Sequence, residues 1–122
     1  MLNKNQTYAI IGASSNLEKY GYKVLKDLHD AGYKVIPVNP KGGEILGLSV
    51  RVSLEKISET IDVVVFITQP KIVEKILPKV HKMGIKKVWF QPGSESEESI
   101  NFCEQNKIEY IAHACVMIDR KK

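Results

Sequence analysis

Five short apolar runs divide this chain, and most are followed by a stretch with helical spacing. Thr7 to Ile11 is a continuous run, as expected of a strand buried on both faces. Lys34 to Val38, Val63 to Ile67, Lys87 to Phe90 and Glu109 to Ala112 repeat the pattern. Between the first two, Tyr20 to Ala31 reads as a helix with Val24, Leu25, Leu28 and Ala31 on one face, and Gly32 stands where a glycine ends a helix. Ser53 is predicted to cap a short helix to about Glu59. Pro70 suits the first turn of a helix ending at Gly84, with Pro78 expected to kink or restart it. Ser94 and Glu97 make a capping-box pattern for a helix to about Asn106.

Strand and helix alternate with short connections, which predicts one α/β domain over residues 1–122. The expected architecture is a doubly wound, Rossmann-like parallel sheet with helices on both faces and strand order 3-2-1-4-5. In such sheets ligands bind beyond the carboxyl ends of the strands, here expected at the switch between the first and fourth. That rule gathers the loops Gly12–Asn16, Asn39–Gly43, Thr68–Pro70, Gln91–Ser94 and His113–Val116 at one edge. The opposite connections read as plain turns.

The first of these loops carries the strongest chemical signal. An apolar strand runs into Gly12-Ala13-Ser14-Ser15-Asn16, and a helix follows. Backbone N–H groups and a helix N-terminus then face a phosphate. Gly12 lacks a Cβ, so a pyrophosphate can approach the main chain; Gly12→Val is expected to abolish binding and leave the fold standing. The dinucleotide fingerprint Gly-x-Gly-x-x-Gly is not matched, since Ser14 and Leu17 hold its second and third glycine positions. After the second strand, where a carboxylate would meet an unphosphorylated ribose, stand Asn39, Pro40 and Lys41. A cation there suits an extra ribose phosphate, as carried by coenzyme A or NADP.

Composition limits the alternatives. A net charge of +4 suits an anionic ligand. The lysines are scattered, which argues against a nucleic-acid stripe. Cys103 and Cys115 are too few for a disulfide framework, and no Cys or His spacing suggests a metal. No signal segment or membrane span is legible, so a cytoplasmic location is expected. His29 and His81 read as solvated surface residues, Cys103 as a core filler and Trp89 as sheet packing. His113 and Cys115 lie on the ligand edge. No nucleophile elbow, triad or dehydrogenase pair can be assembled.

The chain resembles the small CoA-binding proteins, whose fold is that of the nucleotide-binding domain of the succinyl-CoA synthetase α subunit. The resemblance rests on Ile-Gly-Ala-Ser-Ser-Asn, Lys19-Tyr20-Gly21, Tyr-Lys-Val-Ile-Pro-Val-Asn-Pro, Glu-Ile-Leu-Gly, Val-Trp-Phe-Gln-Pro-Gly and His-Ala-Cys-Val-Met, in family order. It implies coenzyme A, free or acylated, held over Gly12–Asn16 with Lys41-Gly42-Gly43 at the nucleotide end. Lys19, Tyr20, Asn39, Pro40, Thr68, Gln69, Gln91, Pro92 and Gly93 fall around the ligand, and Cys115 near its thiol. The expected role is binding without catalysis. The alternatives are an NADP-dependent oxidoreductase or redox sensor, and a module whose contact with a protein partner or second copy is gated by the ligand.

Overall fold

A computed structural model describes residues 2–122. Its centre is a five-stranded, all-parallel sheet built from β1 (Thr7–Ile11), β2 (Lys34–Val38), β5 (Val63–Phe66), β6 (Lys87–Phe90) and β7 (Glu109–Ile111). Four helices accompany it: α1 (Tyr20–Asp30), α2 (Pro70–Lys82), α3 (Glu97–Gln105) and α4 (Val116–Asp119). The α/β class, the parallel sheet and the helices on both faces match the sequence reading.

The strand order does not. The sheet runs β2-β1-β5-β6-β7, so the third long strand lies beside the first and the second is an edge, giving 2-1-3-4-5 in place of 3-2-1-4-5. Ala9 is flanked by Ile36 on one side and Val64 on the other. The reason is visible at Pro37. Proline has no N–H to give to a second neighbour, so it belongs on an edge strand. The Pro37 carbonyl instead accepts from Arg51 N–H at 2.9 Å, and Asn39 N–H donates to Arg51 O at 2.9 Å. The connector thus covers the edge beside Pro37. The switch point therefore lies between β1 and β5.

That connector also departs from expectation. Its predicted helix is a single 3-10 turn, Leu54–Lys56, preceded by a small hairpin of β3 (Glu44–Ile45) and β4 (Leu48–Ser49). Leu46 and Gly47 turn the hairpin with φ of 54° and 76°, the doubly positive geometry of a tight two-residue turn. Pro78 lies inside an α2 that remains one helix, and α3 is capped by Ser96, not by Ser94.

The core forms on both faces. Ala9, Ile11, Val64, Phe66, Val88 and Phe90 point toward α2, α3 and the Leu54–Ile61 connector. Tyr8, Ile10, Val63, Val65 and Trp89 point toward α1, the hairpin and Val116 of α4. Burying such side chains contributes about 1.5–3 kcal/mol each. The strand ends are thereby fixed, and the loops beyond them inherit that rigidity. Among the described residues, no helix is long and apolar enough to cross a membrane.

Candidate functional site

The five loops at the carboxyl edge are tied to one another in the order of the strands. Asn39 Nδ2 donates to Ala13 O at 2.8 Å, joining the β2 and β1 loops. Ile67 N–H donates to Ile11 O at 2.8 Å, joining β1 and β5. Ser94 Oγ donates to Thr68 O at 2.7 Å and accepts Thr68 N–H at 3.1 Å, joining the β5 and β6 loops. Gln91 Oε1 accepts Val116 N–H at 2.7 Å, and Gln91 Nε2 lies 3.4 Å from Cys115 Sγ, joining β6 to the segment after β7. Each tie uses a buried or half-buried polar group, so the edge is organised before any ligand arrives.

These ties redistribute the expected roles. The Asn39 amide and the Gln91 amide hold loops, since Asn39 Oδ1 also accepts Lys41 N–H at 2.8 Å. Ser14 Oγ accepts Asn16 N–H at 3.0 Å and Asn16 Oδ1 accepts Glu18 N–H at 3.0 Å, so both oxygens fold their own loop. Gly12 is held for packing. Its φ is +98°, and a Cβ there would sit 2.2 Å from Ile67 O. Its N–H already donates to Val38 O at 3.2 Å. A Gly12→Val chain therefore has to move β1 against β5, which corrects the expectation of an untouched fold.

What is left open faces the edge. Among the described residues, nothing accepts the N–H groups of Ser14 and Ser15, whereas Ala13 before them is fully buried. They lead into α1, whose N-cap residue Lys19 supplies no side-chain cap and whose first turn carries no acid. The same holds for α2, where Gln69 precedes Pro70. By contrast, α3 is self-satisfied, with Ser96 Oγ accepting Ser99 N–H and Glu97 and Glu98 in its first turn. Two of the three long helices thus present positive, unanswered N-termini where the candidate loops converge. Lys19 and Lys41 are exposed and make no ion pair among the described residues.

Two clefts flank this centre and share Thr68. The smaller, about 330 Å³, lies over β1, β2 and α2 and is lined by Gly12, Asn39, Pro40, Val52 and Ile72 among others. The larger, about 590 Å³, is bounded by Tyr20, Gln69, Gln91, Pro92, Gly93 and Cys115, with Ile67, Met117 and Ile118 as its apolar wall. Exposed large apolar side chains line these clefts, Tyr20 (62%) and Ile118 (63%) the larger and Val52 (45%) and Ile72 (43%) the smaller, and Leu17 (65%) lies in a groove that adjoins the larger at Met117. A monomer surface concentrates apolar groups in this way where something binds. Met117 and Ile118 were missed because α4 was not foreseen. Its anchor is tertiary: Arg120 pairs twice with Asp27 of α1, at 2.6 and 2.9 Å.

Elsewhere the chemistry is less suited to an anion. A cleft of about 520 Å³ between α2 and α3 is lined by Glu74, Glu97 and Glu98. The Ser96 hydroxyl pulls the Glu74 carboxyl below its ordinary value, and Glu74 pushes that of Glu98 up. Cys103 is fully buried, and burial pushes its thiol up to about 11. Cys115 is half-buried and lines the larger cleft. His113 is exposed, with φ of 63°.

The family model described as "CoA binding domain" matches residues 6–121. The chain is 36% identical over 107 residues to "Acetate--CoA ligase [ADP-forming]" of Methanocaldococcus jannaschii, matching 88% of this chain and 15% of the ligase. It thus spans a small part of that relative's length. The uncharacterized protein YneT of Bacillus subtilis is 26% identical over 118 residues, 97% of this chain and 87% of YneT. A solved structure of a conserved hypothetical protein from Pyrococcus furiosus superposes with a TM-score of 0.89 at 41% identity, covering 93% of this chain and 98% of that one.

Proposed function

The chain belongs to the CoA binding domain family, and we propose that its carboxyl edge binds coenzyme A, free or acylated, without catalysing a reaction of its own. The observation that carries this reading is the pair of unanswered N–H groups at Ser14 and Ser15 running into the uncapped start of α1, with a cleft on either side. A diphosphate suits that pair. The adenosine then takes the smaller cleft beside Pro40, with Lys41 at its ribose 3′-phosphate. The pantetheine arm takes the larger cleft, where Thr68 and Gln69 offer partners for its amides and Cys115 lies at the thiol end.

A binding role without chemistry is supported by how the polar groups are used. Gln91 and Ser94 hold loops together, and the larger cleft is lined by no Lys, Arg, His, Asp or Glu. General acid–base work needs such a group within reach of the substrate. Calorimetric titration with CoA and with NADP tests the reading. Saturable 1:1 binding of CoA, with NADP much weaker, supports it. NADP binding in preference to CoA would move the protein to the oxidoreductase class.

A further inference from the structure

We infer that the ligand's reactive end is an uncharged acyl thioester, so that this site selects acyl-CoA over free CoA and over thioesters whose acyl chain ends in a free carboxylate. The inference rests on the coenzyme A reading above and concerns only the larger cleft. That cleft is bounded by Tyr20, Ile67, Pro92, Met117 and Ile118 and is lined by no Lys, Arg, His, Asp or Glu, its ionisable groups being the Tyr20 phenol and the Cys115 thiol. A free thiol ending there would leave the apolar rim in water. Leu17, Tyr20 and Ile118 are each more than 60% exposed, and Met117 joins the larger cleft to the groove holding Leu17. An acyl chain covers this surface, and the hydrophobic effect rewards each methylene it buries. A terminal carboxylate would lose hydration in this cleft, whose lining carries no cation; Lys23, with its Nζ 5.4 Å from the Tyr20 ring centroid, lines only the adjoining groove. Continuity supports the same occupant. The two clefts share Thr68, so an acyl group follows directly from a pantetheine laid along the edge.

The test titrates the protein with CoA, acetyl-, butyryl-, hexanoyl- and succinyl-CoA, with the oligomeric state followed by sedimentation. Affinity should rise about threefold per added methylene, somewhat below the limit for full burial. Succinyl-CoA should bind more weakly than butyryl-CoA. Ile118→Lys, at an exposed position that tolerates the change, should reverse the butyryl-to-succinyl ranking. CoA binding with a flat acyl series would overturn this inference and leave the coenzyme A reading intact. No binding of any of the five would overturn both. A concentration-dependent dimer with a flat series would also overturn it, assigning the apolar rim to a second copy. An unchanged ranking in Ile118→Lys would remove the acyl group from this cleft.

Discussion

Gly21→Ala is the most discriminating change in the molecule, because two effects of known sign oppose each other. Gly21 is in the first turn of α1, where glycine is normally a weakness. Alanine in an unobstructed helix would stabilise it by about 1 kcal/mol. Here an added Cβ would lie 2.0 Å from Gly12 O and 3.2 Å from Ser14 N. Ordinary contact is about 3.5 Å, so the oxygen has to retreat by more than an ångström. It has little room, since Gly12 N–H is bonded to Val38 O and the far side of Gly12 packs on Ile67. Overpacking against pinned backbone costs about 3 kcal/mol, the upper end of its range. The net effect is a destabilisation of about 2 kcal/mol, or roughly 8 °C in Tm. Ligand affinity should fall with it, because the displaced atoms belong to the Gly12–Asn16 loop proposed to hold the diphosphate. Gly43→Ala is the control. Its φ of +93° carries strain, and nothing lies within 4 Å of its Cβ, so about 1 kcal/mol is lost and the loop stays in place. Thermal melts and CoA titrations of both variants decide the matter. A Gly21→Ala protein that melts higher than wild type and binds normally would refute the reasoning.

Lys41→Ala should weaken CoA by about 1–2 kcal/mol and leave dephospho-CoA nearly unaffected, read by calorimetry; equal losses would mean that Lys41 contributes only general charge. The Arg51 guanidinium, bonded twice to Glu59, holds that carboxyl at about 2 against an ordinary 4.5. The pair's contribution is therefore intact above about pH 4.5 and vanishes as pH falls toward 2, and Glu59→Gln should flatten that part of the acid-unfolding curve. Oxidised CoA should modify Cys115 and spare Cys103. The Cys115 thiolate takes one half of the disulfide and releases the other as CoA thiolate, whereas Cys103 is buried with its thiol raised to about 11. Peptide mass spectrometry with equal labelling of the two would contradict the burial argument.

The long strands and α1, α2 and α3 were legible from their apolar period, with the end signals right at Pro70 and Gly32 and two residues early at α3, where Ser96 and not Ser94 is the cap. Val63–Phe66 is apolar at every position, and Gly32 ends α1 with φ of +92°. Strand neighbours were not legible from period, which marks a strand without saying what lies beside it. Pro37 was the one local clue that β2 is an edge. The hairpin was hidden because Leu46-Gly47 is a poor turn signal, and Leu46 reaches positive φ only with tertiary support. The site loops followed from topology alone. Their internal wiring did not, since Ser94–Thr68, Gln91–Val116 and Asn39–Ala13 join residues 25–26 apart through geometry that no sequence window contains.

The central claim is that coenzyme A lies along the carboxyl edge, from Lys41 across Ser14 and Ser15 to Cys115. Amide chemical-shift mapping during a CoA titration tests it residue by residue. The account predicts large shifts at 12–16, 39, 41, 67–69, 91, 93 and 115–118, with the Glu74–Glu98 cleft silent. Shifts centred on that acidic cleft, or on the opposite edge around Thr7 and Lys34, would contradict it.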